Sequence, residues 1–470
     1  MNNLTVKEMI HAMQEGDLTS YTLTSYYLAQ INQYNDVINA VSQINPNALL
    51  EAQTLDAERK QKGPRSPLHG LPVLLKDNIN TTDGLFTTAN SYALSDLKTP
   101  YEATLVKNLK DWGVLILGKA NLSEFAYFMS YDDMPSGFGS LNGQVKSPYH
   151  HAIDPLGSST GSAVSVACDM VIFSVGTETN GSLMAPAYRN SIVSIKPTLG
   201  LVSRYGIIPI SEHQDTAGPM AKTVMDCAYL LEALVGSDDK DPYTKKADEL
   251  KQPYHTADQL SIAGKRIGIL KFTNYAYTDE ELAILDEAKE KLEAQGVTVT
   301  WYNFELKHLK NDASLLFEFK HGLNNYLKSV SGATKMTSLA DIIKFNNENK
   351  DRCLKYGQSI LTKSEETTGD LNDPEFLKVR QSLLKEARKF QDLMEKDQLD
   401  ALISTKWLSY GPIYGNPSIC VPGKKLIDQK PVSVVFIGKK YDEMTLISLA
   451  HHYEINTKHR IAPKLIKTTK

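Results

Sequence analysis

The chain has 470 residues, of which 41% are hydrophobic and 23% charged, proportions of a folded globular protein that exclude a disordered, fibrous or coiled-coil chain. A formal charge of -4, with no Lys/Arg stripe interleaved with aromatics, argues against nucleic-acid binding as the main business. The length exceeds that at which a single hydrophobic core usually stops growing, which leaves open one unusually large domain or two to three smaller ones.

The four cysteines, Cys168, Cys227, Cys353 and Cys420, lack any CxxC or Cys/His spacing, so neither a disulfide framework nor a metal site is indicated. The amphipathic, polar N-terminal stretch and the absence of a long apolar run lead to the expectation of a soluble, cytoplasmic protein with no membrane partner. The basic end from Lys464 to Lys470 is expected to be a solvated tail.

In chain order, Thr5 and Glu8 have capping-box spacing, and Thr19 and Ser20 give a second polar start, so two opening helices are predicted. A third helix over 47–61 ends at the Gly63-Pro64 break. Val73 to Leu75 read as a strand that delivers Lys76 at its end. Helix and strand then alternate: helix over 102–111, a continuous apolar run over 113–117, and a helix beginning near Asn121. Residues 131–159 are rich in Gly, Ser, Pro and Asn, a long irregular segment of the functional kind. Met170 to Val175 form the next predicted strand. Beyond Gly236 come a charged turn-rich stretch, a strand at KRIGIL, a helix over 279–295 and a strand at VTVTW. A charged helical region follows over 317–396, then two strands and a closing helix. Helix-strand alternation of this kind indicates an α/β protein.

Between Gly157 and Pro219 the density of Ser, Thr and Gly is higher than a packed core would use. Small hydroxyl residues beside glycines let a backbone approach a substrate and leave N–H groups free for an oxyanion; two structural glycine-rich loops are the alternative. Gly157-Ser158-Ser159-Thr160-Gly161 matches the G-x-S-x-G nucleophile elbow, with Ser159 as its serine, but the preceding HHAIDPLG is turn-like where an elbow needs a strand. The second cluster, 176–182, does follow a predicted strand. His150 and His151 read as loop residues, and His213 beside Asp215 resembles part of a Ser-His-Asp triad.

The two clusters, GSSTGS and ETNGSLM, resemble the two halves of the amidase signature family's consensus, and the interval between Ser158 and Ser182 equals that between the family's two catalytic serines. GLPVLLKDNI is similar to the segment carrying the family's lysine. KPTLGLVSRYGIIPIS and QDTAGPMAKTV are similar to its downstream motif, GDLTSYTLTSYYLAQINQYNDVINAV to its opening helices, and GNPSICVP and KPVSVVFIG to its closing strands. The resemblance thins between about 235 and 400.

It implies a single large α/β domain over 1–470, with a twisted mixed β-sheet covered by helices on both faces. Its parts are N-terminal helices over 1–62, a catalytic core over 63–235, a variable substrate-facing helical region over 236–400, and closing strands with a C-terminal helix over 401–470. The implied roles are Ser182 as nucleophile, Ser158 as a relay following a cis peptide bond, Lys76 as general base, and the backbone N–H groups of Thr179, Asn180, Gly181 and Ser182 as oxyanion donors. Met134, Ser136, Gly137 and Ser159 are the candidate substrate-binding residues. The implied reaction is hydrolysis of a small amide or C-terminal peptide amide without metal or cofactor. Departures from the family pattern are Thr160, Glu178, Asn180 and Met184, with Leu156 and Asn90 where small residues are common; Met184 removes an arginine, so Glu178 is expected to pair elsewhere, for instance with Arg189. Two other readings stay open, the catalytic component of a tRNA-dependent amidotransferase and a catalytically silent relative that binds a ligand.

Overall fold

The computed structural model describes residues 4–427 and 430–465; the basic tail expected at the C-terminus falls outside them from 466 on. Both opening helices form as their caps dictate. Thr5 and Glu8 close a capping box on the helix Val6–Glu15, Thr19 and Thr22 do the same for Ser20–Ile38, and a third helix spans Ala48–Lys62. Each capped end satisfies N–H groups that have no partner inside the helix.

The strands, in chain order, are β1 (Val41–Ile44), β2 (Pro72–Lys76), β3 (Leu115–Ala120), β4 (Phe138–Gly139), β5 (Gly143–Gln144), β6 (Phe173–Glu178), β7 (Val193–Lys196), β8 (Thr216–Ala221), β9 (Arg266–Phe272), β10 (Thr298–Phe304), β11 (Ala401–Ser404), β12 (Ser418–Ile427) and β13 (Lys430–Gly438). All but β4 and β5, which make a small hairpin, join one 11-stranded sheet in the order β1-β3-β2-β6-β8-β7-β12-β13-β11-β9-β10. The sheet is mixed: β3, β2 and β6 run parallel, as do β11, β9 and β10, and antiparallel pairs join these blocks through β8, β7, β12 and β13. Helices pack on this sheet, which makes the protein a single α/β domain. Residues 236–400 are not wholly helical: β9 and β10 extend the sheet, and the helices Asp312–Ser329 and Ser359–Glu366 lie beyond them in sequence.

Two predicted elements differ from the structure. The helix expected near Asn121 is a left-handed turn at Glu124–Tyr127, with φ of 48° at Phe125, 55° at Ala126 and 72° at Tyr127; its apolar residues serve a cavity wall rather than a helix face. The strand placed at 170–175 begins at Phe173 and runs to Glu178. The apolar run before Phe173 is fully buried without being strand, and apolar content alone cannot mark a boundary inside buried chain.

β2 and β6 are buried throughout and lie side by side in parallel, Leu75 opposite Val175. Their carboxyl ends therefore open on the same edge, where ligands bind in open α/β sheets. Replacing Leu74, fully buried in β2, by Ala should cost about 2–5 kcal/mol through the cavity it leaves. Urea unfolding checks this, and a cost below about 1 kcal/mol would mean that this strand is not part of the packed core.

Candidate active site

Lys76 ends β2 with its side chain fully buried. Its Nζ lies 2.7 Å from Ser158 Oγ, 2.9 Å from Thr177 Oγ1 and 3.2 Å from the Thr177 carbonyl oxygen. Nζ donates to all three, which are uncharged oxygens of two hydroxyls and a carbonyl. Burial pushes the Lys76 amine down to about 7 from its ordinary 10.5, partly opposed by the carboxylates of Asp215 and Glu178. Asn78 Nδ2 donates to Thr177 Oγ1 at 3.1 Å and so orients the hydroxyl that holds the amine.

Ser158 follows a cis peptide bond from Gly157 and stands immediately before the helix Thr160–Ala167, separated from it by Ser159. Its carbonyl accepts from Ser123 N–H at 3.2 Å, and Ser159 N–H donates to the Ser182 carbonyl at 3.3 Å, so the two Gly/Ser-rich segments are tied directly together. Ser182 is 9% exposed. It lines a cavity of about 380 Å³, and its hydroxyl makes no hydrogen bond among the described residues. The loop before it carries four consecutive N–H groups, those of Thr179, Asn180, Gly181 and Ser182, that donate to no acceptor among the described residues.

That loop is held open from both sides. Glu178 Oε2 accepts from the N–H groups of Leu183 and Met184, at 2.7 and 3.1 Å, so the expected Glu178–Arg189 pair does not form. Two backbone donors at the start of the following helix stabilise the carboxylate instead. Asp215 accepts from Thr179 Oγ1 at 2.5 Å and from the N–H groups of Ile210 and Ser211 at 2.8 and 2.9 Å. Burial raises its carboxyl to about 6. Asn180 turns its amide to Ser409 Oγ at 3.1 Å, away from the peptide N–H row. Gly181 takes φ +85°, and a Cβ there would stand 2.8 Å from Trp407 Cδ1.

Of the expected substrate-binding residues, Met134 lines the cavity. The others sit behind it. Ser159 Oγ donates to the Thr177 carbonyl at 2.9 Å and accepts from Thr177 N–H at 3.2 Å, which pins the Ser158 segment to β6 and leaves no elbow serine. Ser136 accepts from Gln144 Nε2 through its carbonyl. Gly137 N–H donates to Ser123 Oγ at 2.8 Å, and its φ of +80° lets the chain pass the Thr160 side chain, which a Cβ would meet at 2.8 Å. His213 Nδ1 pairs with Glu318 at 3.0 Å while Asp215 serves Thr179, so no Ser-His-Asp triad forms. Asn90, at φ +57°, bridges the Leu122 carbonyl and the Asn142 N–H.

Sequence reasoning missed Thr177 and Asn78, although Asn78 stands two residues from Lys76 and Thr177 is five before Ser182, and it noticed Asp215 only beside His213. Of the remaining wall, Tyr131, Asp133 and Ile360 fall where the loop from Tyr131 to Gly143 and the helices after Phe317 were expected to meet a substrate, and Asp312 and Leu315 fall in the wider region over 236–400 implied to face it. Ala126, Tyr127, Phe128, Ser130 and Ile210 come from segments that carried no such expectation. A second cavity of about 440 Å³ adjoins the first, sharing Ala126, Thr179 and Ile210 with it and reaching inward to Asn78, Thr177 and Asp215.

A buried lysine bonded to a serine, a second serine lining a cavity and a row of peptide N–H groups without acceptors among the described residues thus lie together at the carboxyl ends of β2 and β6. A family model described as Amidase matches residues 22–409. The structure is similar to that of a native peptide amidase from Stenotrophomonas maltophilia, with a TM-score of 0.93, 37% identity and 99% of each chain covered. A probable amidase from Arabidopsis thaliana is 37% identical over 98% of this chain and 91% of its own length. A glutamyl-tRNA(Gln) amidotransferase component from Acinetobacter baumannii is 30% identical over 97% of this chain and 96% of its own length. The chain belongs to the amidase signature family, and it is an amide-hydrolysing enzyme.

Replacing Gly181 by Ala should destabilise the protein by about 1–3 kcal/mol, because the left-handed backbone disfavours a Cβ and Trp407 must move. Thermal and urea unfolding check this; an unchanged midpoint would contradict the loop geometry described.

Proposed function

We propose that the enzyme hydrolyses a carboxamide, a small amide or the C-terminal amide of a peptide, with Ser182 as nucleophile, Ser158 as proton relay and Lys76 as general base. The observation that carries this reading is the full burial of Lys76 among uncharged oxygens, with Ser158 Oγ 2.7 Å from its Nζ, since burial favours the neutral amine that a base must be. The Ser182 proton passes to Ser158, whose own proton passes to Lys76 Nζ. Ser182 Oγ bonds the amide carbon, and the oxyanion takes N–H donors from Thr179 to Ser182, each such donor being worth about 2.7–4 kcal/mol of barrier. The C–N bond then breaks as the proton returns through Ser158 to the leaving nitrogen. Water repeats the sequence on the acyl-enzyme and releases the acid. No step calls for a cofactor.

A cavity of about 380 Å³ beside Ser182 has the size of a small-ligand pocket. The free-standing amidase reading is supported over the amidotransferase one by the peptide amidase likeness, which exceeds that to the amidotransferase relative in identity. Against the silent-relative reading stands the presence of Lys76, Ser158, Ser182 and the N–H row beside Thr160, Glu178, Asn180 and Met184.

Ammonia release from primary amides and C-terminally amidated peptides should fall more than about a hundredfold in both Ser182→Ala and Lys76→Ala, since such groups act as a unit. Full activity in Ser182→Ala overturns the nucleophile assignment. Because the base acts only when unprotonated, kcat/KM should rise with pH through about 7, where burial has set the Lys76 amine, and be lost below it. A profile flat between pH 5 and pH 9 would remove Lys76 from that role.

A further inference from the structure

The cavity beside Ser182 carries charge of one sign. Asp133 and Asp312 line it, and no Lys, Arg or His does. Each has a local reason to be acidic. Asp312 opens the helix Asp312–Ser329, where the peptide dipoles favour a carboxylate, and Asp133 takes φ 52°, a left-handed backbone that Asp tolerates better than most residues. Neither reason brings the two to one cavity. Neither carboxylate is in an ion pair among the described residues. Asp312 has the Tyr131 hydroxyl beside it, which burial and this carboxylate raise to about 12. Lys363, whose ammonium stands 4.9 Å from the Tyr131 ring centroid, does not line the cavity.

The adjoining larger cavity differs in that it holds both signs, with Arg204 2.6 Å from Asp241. Ser182 lines the smaller cavity and not the larger, so the acidic pair shares its space with the 9% exposed serine whose hydroxyl has no partner among the described residues. A primary amide loses only ammonia, so whatever extends from its reacting carbon along this cavity belongs to the acyl part. A cleft lined by one sign of charge focuses its field and concentrates ligands of the opposite sign. Tyr127, Phe128 and Tyr131 line the same space, and aromatic faces add to the hold on an ammonium or guanidinium. Both aspartates are exposed, so a cation paired with them keeps part of its water and avoids the full cost of burial.

We propose that Asp133 and Asp312 are specificity determinants, through which the enzyme prefers amides whose acyl part carries an ammonium or guanidinium group over neutral amides of the same shape, and disfavours those whose acyl part carries a carboxylate. The inference rests on the Ser182–Ser158–Lys76 reading and adds the charge of the substrate to it. The cation pairs with the two carboxylates while the carboxamide reaches Ser182, and no step of the chemistry changes. A partly exposed ion pair is worth a factor of a few, so two acting on one cation give a preference of about tenfold.

The test compares three amides of similar size, the α-amides of acetyl-lysine, acetyl-norleucine and acetyl-glutamic acid, by ammonia release. The lysine amide should exceed the norleucine amide in kcat/KM about tenfold, and the glutamic acid amide should fall below both. Raising the salt from about 20 mM to about 500 mM should shrink the lysine-to-norleucine ratio, since exposed charges are screened. In the double variant Asp133→Asn with Asp312→Asn the ratio should fall to about one, a change that a general folding defect does not produce because it lowers both rates together. A wild-type ratio near one, or a ratio unchanged in the double variant, overturns this inference. Hydrolysis of other amides with none of these three also overturns it and leaves the Ser182–Ser158–Lys76 reading standing. No turnover of any amide overturns that reading and the charge preference with it.

Discussion

Everything at this site depends on burying one amine. An ammonium on the fully enclosed Lys76 would be stripped of water with no carboxylate in contact, a cost large enough that the group gives up its proton instead. Its displacement from 10.5 to about 7 corresponds to about 5 kcal/mol in favour of the uncharged form. The surrounding oxygens belong to two hydroxyls and a carbonyl, and hold an amine in place without recharging it. Asp215 and Glu178 raise the proton affinity somewhat, while Glu178 holds the N–H groups of Leu183 and Met184 and Asp215 holds the Thr179 hydroxyl and the N–H groups of Ile210 and Ser211.

Those two carboxylates, which act on the Lys76 amine, also hold the loop that carries the four peptide N–H groups. Glu178 gathers the N–H groups of Leu183 and Met184, and Asp215 takes the Thr179 hydroxyl, so the turn between them cannot fold its own N–H groups into a helix. Four peptide donors remain unused beside a serine, fixed before any substrate arrives, which is the arrangement that makes electrostatic stabilisation effective. The sheet supplies the rest. Because β2 and β6 are parallel neighbours, a lysine ending one and a threonine near the end of the other meet without a loop having to position either.

The parts of the site that could be read from the sequence were those carried by short segments: Lys76 at the end of an apolar run, and the Gly/Ser clusters around Ser158 and Ser182. The opening helices were equally legible, since a Thr or Ser followed three residues later by a partner side chain closes a cap locally. The amine's surroundings were not. Thr177 matters because the Ser159 hydroxyl pins its backbone and Asn78 aims its hydroxyl, a relation across the sheet. The turn at Glu124–Tyr127 read as a helix because apolar spacing does not report the sign of φ. Arg189 was offered to Glu178 on charge alone, and two backbone N–H groups at the turn beside it met the carboxylate first. The cavity walls combine the 124–134 turn with Asp312, Leu315 and Ile360, brought together only by the tertiary fold.

The central claim is that Lys76 is an uncharged amine when the enzyme works. The most direct measurement is a pH titration of the lysine ε-carbon resonances by NMR on protein labelled at that position, with the Lys76 signal identified by its loss in Lys76→Arg. A midpoint near 7, as burial sets it, is the predicted result. A midpoint near 10.5, the ordinary value for an exposed lysine, would mean that the group is charged at neutral pH and would contradict its assignment as the base.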